Sequence, residues 1–373
     1  MTPDSDDYFG LRSKLNNWFQ GALSDASNVE LFDIRSPHAG VSNETFFASV
    51  RWTVAGAPHE EVFVIRWPPT GFRVFPDEAY DMWRQSTLIS KLGAAGIDVA
   101  PVRWFEPDVS VIGTPFYVMT RVKGWVPGDF PPYHIEGRLF EATQAEKQKT
   151  WWTAVDQIAS IHCLDWEVAG LEFLGVPESG NIWIEQQVSY YERVFAKNAE
   201  PLPEILMETR GWLLENFPGA QRLALCWGDA RLGNMVVNDF EVTTVLDWEM
   251  ACIGDPESDL GWFSHMDWAT SVGRSNNPFP RMEGLPTIKE TIQYYERKTG
   301  LKVLNLRYYE IFAAWRMAIL FTRIEQDERY LASSGNKKGL ITWTHFERLK
   351  ALLNAHCLER GSLCLLWHEI SRD

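Results

Sequence analysis

Trp227-Gly228-Asp229-Ala230-Arg231-Leu232-Gly233-Asn234, followed a little further on by Leu246-Asp247-Trp248-Glu249, is the stretch on which the reading of this chain turns. An aspartate, an asparagine after four intervening residues and a second aspartate beyond a hairpin are what phosphoryl transfer asks for: a base and two metal-binding groups. The reason is charge. A γ-phosphoryl group in transfer spreads negative charge over its oxygens, so the protein supplies metal ions held by carboxylate and amide oxygens and little covalent chemistry. Asn234 and Asp247 are hard oxygen ligands of the kind Mg²⁺ takes, and Asp229 is the candidate base beside an acceptor hydroxyl. Gly228 and Gly233 suit a loop that turns sharply.

Asp and Asn are also common in plain surface turns, so the surroundings decide. Met235-Val236-Val237 and Val242-Thr243-Thr244-Val245-Leu246 are short, apolar, β-branched runs joined by Asn238-Asp239-Phe240-Glu241. That pattern predicts a hairpin bringing Asn234 and Asp247 to the same end.

The whole run from Leu225 to Phe263 resembles the aminoglycoside phosphotransferase family, including its relatives that phosphorylate choline and hydroxyacyl-CoA. The resemblance implies an α+β, two-lobed protein-kinase-like fold, with a small β-rich N-lobe and a larger, mainly helical C-lobe. It implies Asp229 as catalytic base, Asn234 and Asp247 as Mg²⁺ ligands, and Asp255 and Asp259 as members of a structural aspartate cluster. The family usually has His before Gly-Asp; here Trp227 stands there, and its indole N–H still offers one hydrogen bond.

Upstream, Val41 to Trp52 alternates as a strand, Ala55-Gly56-Ala57-Pro58 turns, and Glu61 to Trp67 returns. The segment from Ala39 to Thr45, with Ser42 and Asn43, resembles the family's nucleotide-covering loop, though taken alone these residues read more readily as a plain turn. On the returning strand Val62, Val64 and Arg66 share a face by the two-residue period. The resemblance makes Arg66 the cation for the α/β-phosphates, with Val64 beside it; the competing reading is a strand-end arginine facing water. A helix from about Asp77 to Leu92 should carry that cation's acidic partner, yet Gln85 stands where the family has Glu. Arg66 is then expected to be held by a neutral hydrogen bond.

Phe116 to Gly124 reads as a strand running into a flexible glycine, and the resemblance makes it the hinge, near 119–124. Adenine is then expected against the backbone of Thr120 to Val122, with Met119 lining the pocket. The domain expectation is an N-terminal nucleotide lobe over 1–122 and a catalytic and substrate lobe over 123–373. Trp151 to Leu164, Ile182 to Phe195 and Pro203 to Phe217 read as helices, and the C-terminal part from Thr287 to Leu358 reads as helical. His162 sits at an apolar helix position and reads as core. In the late helix Phe312, Arg316, Ile319 and Arg323 fall on one stripe. A cation among apolar residues needs a partner, and for Arg316 two are open: an internal carboxylate near Asp259, or an anionic group of the acceptor.

With 373 residues, 45% of them hydrophobic, the chain can hold two lobes with real cores. Eighteen tryptophans are expected mainly in core packing. A net charge of −15 argues against nucleic-acid and anionic-membrane partners. Five cysteines without CxxC spacing, and an acidic start unlike a signal peptide, point to a reduced, cytoplasmic protein. The expected activity is transfer of the γ-phosphate of ATP, with Mg²⁺, to a hydroxyl of a small molecule such as a hydroxyacyl-CoA or an aminoglycoside-like compound. The alternative is a nucleotide-binding pseudokinase with a regulatory role; the intact Asp229, Asn234 and Asp247 favour the enzyme.

Overall fold

Alternating apolar residues in three consecutive strands build the first structural layer. In the computed structural model, residues 5–36, 43–177, 182–197, 201–219, 222–272, 279–334 and 338–359 are described. In chain order they form α1 (Ser5–Ala22), β1 (Ser27–Arg35), β2 (Glu44–Val54), β3 (Ala57–Trp67), α2 (Met82–Ala94), β4 (Val102–Glu106), β5 (Phe116–Thr120) and α3 (Gln144–Cys163). There follow α4 (Ile182–Phe195), α5 (Glu204–Glu215), β6 (Ala224–Cys226), β7 (Met235–Asn238), β8 (Glu241–Val245), β9 (Cys252–Gly254) and α6 (Glu257–Ala269). The last helices are α7 (Ile288–Thr299), α8 (Leu306–Ile324), α9 (Glu328–Ser334) and α10 (Leu340–Glu359). No described helix is long and apolar enough to cross a membrane.

The chain divides into two compact units. One comprises residues 1–126, 165–174 and 235–250; the other comprises 127–164, 175–234 and 251–373. The first holds a five-stranded sheet of order β1-β2-β3-β5-β4, each neighbouring pair antiparallel. Phe46, Ala48 and Val50 of β2 and Phe63 and Ile65 of β3 point to one face, where Leu15 and Phe19 of α1 complete a closed core. Helix α1 is a second helix in a region expected to carry one. Its Leu15 and Phe19, four residues apart, are fully buried against the sheet. Helix α2 starts at Met82 rather than Asp77, because the Asp81 carboxylate caps it by accepting the N–H groups of Trp83 and Arg84; Asp77–Tyr80 forms a separate 3₁₀ turn.

The hairpin of β7 and β8 also belongs to this unit. Met235, directly after Asn234, pairs with Val245, two residues before Asp247. Asp239 and Phe240 at the tip take positive φ of 47° and 60°, the handedness a two-residue hairpin turn needs. Gly124, expected as a flexible joint, is glycine for a steric reason. A Cβ there would lie 2.6 Å from the Val237 carbonyl oxygen, and the adjacent Trp125 exchanges both backbone hydrogen bonds with Val237.

The second unit is mainly helical. Helix α8 runs through its centre, with every residue from Ile311 to Leu320 buried. It packs closely on α6, where a Cβ on Gly261 would approach the Tyr309 backbone to 2.5 Å. Capping boxes start α3 (Thr143 with Glu146) and α7 (Thr287 with Glu290). The Glu257 carboxylate, at the start of α6, takes the N–H groups of Leu304 and Asn305 before α8. Trp151, Trp183, Trp262 and Trp315 are among the largest fully buried side chains, the packing role expected for tryptophan.

Candidate active site

In the helical unit the loop from Trp227 to Asn234 leaves β6, which pairs with β9. Asp259, in the first turn of α6, fixes the loop's backbone. Its carboxylate accepts the N–H of Trp227 (2.6 Å) and of Gly228 (2.8 Å). His162 of α3 lies 3.1 Å from the same carboxylate through Nε2 and 2.8 Å from the Tyr295 hydroxyl through Nδ1, all of it buried. The histidine is thus core, as its position suggested, and also part of a polar chain that braces the loop. Trp227 is fully buried and holds its place through its backbone N–H.

Three side chains hold the Asp229 carboxylate. Trp262 Nε1 donates to Oδ1 at 2.7 Å, Asn234 Nδ2 donates to Oδ2 at 2.6 Å, and Arg231 Nε bridges both oxygens at 3.1 and 3.0 Å. The structure therefore brings the sequence-predicted Asp229 and Asn234 into direct contact. Arg231 also pairs with Asp129. Burial pushes the Asp129 carboxyl up from the usual range, against the pull of the Arg231 charge. Gly233 lies beneath this pair, since a Cβ there would come within 2.5 Å of both the Arg231 guanidinium and the Asp129 carboxylate.

Arg316, read as reaching an internal carboxylate or an acidic acceptor, is 3% exposed. It donates from Nε to the Tyr191 hydroxyl and from Nη2 to the Gly228 carbonyl, both at 2.9 Å. Its guanidinium also lies 4.3 Å from the Trp262 ring centre and 5.0 Å from that of Tyr191. Burial raises the Tyr191 hydroxyl to about 12 although the neighbouring cation lowers it. Arg323, on the same stripe, is partly exposed and donates to the Lys197 carbonyl.

In the sheet unit Arg66 and Asp247 form an ion pair, Nη2 to Oδ1 at 3.2 Å. Burial opposes the guanidinium's charge, but Tyr117, Asp247 and Glu249 outweigh it and raise its pKa. The neutral partner expected for Arg66 lies elsewhere. The Gln85 amide donates to the Ala79 carbonyl (2.7 Å), and its oxygen receives Asn43 Nδ2 (3.4 Å) and the Tyr117 hydroxyl (3.3 Å). Asn43 donates again to Glu249 at 2.9 Å. Asp247 has φ of 60°, a left-handed backbone uncommon outside glycine, asparagine and aspartate. Val64 pairs with Met119 across β3 and β5; both are buried, while Thr120 and Val122 are partly exposed. The Thr120 N–H donates to the Pro101 carbonyl and that of Arg121 to Val62. Ser42 lies outside the described residues.

The residues fit a metal-bound phosphate. Two buried atoms, Arg66 Nε and Asn43 Oδ1, have no hydrogen-bond partner among the described residues, and an orphaned buried guanidinium N–H suits a phosphate oxygen. In the sheet unit Asp247 offers hard oxygens. In the helical unit the Asn234 amide nitrogen is used on Asp229, which leaves its amide oxygen as the group it can offer. Sequence reasoning missed Trp262, Arg231, Asp129 and Glu249. Only the three-residue step from Asp259 to Trp262, one helical turn, signalled that the two could act together.

A five-stranded antiparallel sheet with its helices and a mainly helical unit carrying this loop define an α+β, kinase-like phosphotransferase fold. The sequence model of the phosphotransferase enzyme family, APH, matches residues 33–280, about two thirds of the chain, and the chain belongs to that family. It is 29% identical over 315 residues to human (Homo sapiens) acyl-CoA dehydrogenase family member 11, a match covering 83% of this chain and 38% of that protein. The chain thus spans less than two fifths of that relative's length. Among solved structures, a protein from Ralstonia eutropha provisionally described as an aminoglycoside phosphotransferase superposes with a TM-score of 0.64 at 21% identity, covering 91% of this chain and 95% of that one. The streptomycin–ATP–APH(2″)-IIa ternary complex superposes with a TM-score of 0.51 at 14% identity, over 87% and 91% of the two chains. At these identities the structures speak for the fold.

Proposed function

We propose that this family member is a Mg-ATP-dependent small-molecule kinase that moves the γ-phosphate of ATP to an alcohol. The observation that carries the reading is the Asp229 carboxylate, held by Trp262, Arg231 and Asn234 on a loop pinned by Asp259. A carboxylate fixed in this way can orient an acceptor hydroxyl and take its proton as that oxygen bonds to phosphorus and the bond to the ADP oxygen breaks. Arg66 is assigned to the α/β-phosphates and Asn234 and Asp247 to the metal. The ion supplies the positive charge that offsets the phosphoryl oxygens in transfer. Ser42, Asn43 and Val64 belong to the nucleotide site in this reading, with Met119, Thr120 and Val122 around adenine. The lobes are assigned as 1–122 for nucleotide and 123–373 for catalysis and acceptor, in a cytoplasmic protein. The bound ATP of the APH(2″)-IIa complex supports the choice of donor.

For the acceptor we favour a hydroxylated acyl thioester over an aminoglycoside. Support comes from the name of the relative, an acyl-CoA dehydrogenase family member. The test is ATP turnover with Mg²⁺ across amino sugars, choline-like alcohols and hydroxyacyl-CoA thioesters. Acceptor-dependent ADP release with a hydroxyacyl-CoA is expected; release with amino sugars alone refutes the acceptor, and release with none of the three refutes the kinase reading.

A further inference from the structure

We propose that Trp262 is a positioning residue for the Asp229 carboxylate, and that Arg316 holds it in that role. The inference rests on the reading of Asp229 as the base. Helix α6 places Asp259 and Trp262 three residues apart on one face. Asp259 takes the backbone N–H groups of Trp227 and Gly228, and Trp262 reaches the side chain of the next residue, donating to Asp229 Oδ1 at 2.7 Å. One face of one helix therefore grips three consecutive residues of the loop, the third by the carboxylate that does the chemistry.

Core packing accounts for the burial of the indole, which is 1% exposed. It does not account for the direction of its single N–H. A ring closed in on all sides cannot swing its donor away, so Oδ1 is held by a bond that water does not replace, and rotation of the carboxylate about Cβ–Cγ is blocked. Arg231 and Asn234 sit on the same loop as Asp229 and move with it. Trp262 comes from another element and ties the carboxylate to the frame of the helical unit.

Arg316 reinforces this from α8. Its guanidinium lies over the Trp262 ring, 4.3 Å from the ring centre, on the side a cation prefers. A positive charge over the face draws electron density from the indole and makes its N–H a stronger donor. The same guanidinium donates to the Gly228 carbonyl, the peptide that precedes Asp229. A single buried cation thus fixes both the backbone and the side-chain support of the base.

The test uses the full chain labelled with ¹⁵N at the tryptophan indoles, with hydroxyacyl-CoA-dependent ADP release from Mg-ATP followed in parallel. The indole signal missing in Trp262→Phe identifies Trp262. In Asp229→Asn that signal is expected to move upfield as the charged acceptor is lost, and an unmoved signal overturns the contact. Trp262→Phe is expected to lower kcat by about ten- to a hundred-fold, the loss of one charge-assisted hydrogen bond, with KM for Mg-ATP unchanged. A kcat within about twofold of the unaltered chain overturns the positioning role. Replacing Trp262 by β-(3-benzothienyl)alanine keeps both rings and removes only the N–H; it is expected to reproduce the kcat loss, and stands in if the phenylalanine variant does not fold. The underlying reading fails separately: undiminished turnover in Asp229→Asn refutes the base, whatever Trp262→Phe does.

Discussion

Arg316 brings a full charge into a place where 3% of its surface meets water, and two neutral acceptors and three aromatic faces receive it. Arg316→Met keeps the length of the side chain but leaves the Gly228 carbonyl and the Tyr191 hydroxyl without their donor. Each buried group left unpaired costs roughly 1–3 kcal/mol, so a loss of about 3 kcal/mol is expected in thermal or urea melts. A variant as stable as the parent would show that the carbonyl and hydroxyl find other partners. At this scale, what was legible in the sequence is what lies close along the chain. Asp229 and Asn234 meet because a short loop has little choice. Trp262, Asp129 and Arg316 reach the same loop from positions 33, 102 and 88 residues away, and nothing local marks such a contact.

Helices α6, α8 and α10 pack with little slack. Alanine at position 261 would put a methyl carbon 2.5 Å from the Tyr309 backbone, and backbone inside two packed helices cannot step aside as a side-chain tip can. Gly261→Ala is expected to cost about 2–3 kcal/mol despite alanine's better helix propensity, a sign that a melting curve reads directly. His345 of α10 stacks on Phe321 and faces His265 of α6, with ring centres 5.3 Å apart in each case. Burial drops the His345 imidazole to about 3 and holds that of His265 well down as well, with His345, Arg348 and Arg316 adding to the effect on His265. The folded state therefore refuses a proton that the unfolded chain accepts near 6.5, and stability is lost as pH falls below that value. At pH 5 the His345 share is about 2 kcal/mol. His345→Phe is expected to remove that part of the acid slope between pH 7 and 5, and an unchanged slope would place the titration elsewhere. Element types followed from periodicity and turn residues, as in the β7–β8 hairpin. The start of α2 did not, because Asp81 as a cap becomes evident only once its carboxylate faces two N–H groups. Nor did α1, whose polar first turns hide Leu15 and Phe19.

For the molecule as a whole, the proposed roles predict that Mg-ATP raises the melting temperature. At a hundred times its dissociation constant a ligand adds about 2.7 kcal/mol, several degrees for a protein of this size. No rise at millimolar Mg-ATP would remove the nucleotide site. The fold class was legible because the most informative loop lies within one sequence run, whereas the make-up of each compact unit was not. Residues 165–174 and 235–250 join the sheet unit through contacts far apart in sequence, such as Trp83 with Phe173, Val99 with Val245 and Trp125 with Val237.

Arg66 and Asp247 form an ion pair, and each has a different destination in the proposed mechanism. A nucleotide would draw on the guanidinium and a metal on the carboxylate, so each would loosen the same ion pair. Two ligands that must together dissolve one internal pair behave as a coincidence detector, and linkage makes the coupling reciprocal, so each raises the other's affinity by the same factor. Arg66→Met, which removes the ion pair whether or not nucleotide is present, would uncouple the two signals, and metal titrations with and without ATP would then give the same affinity.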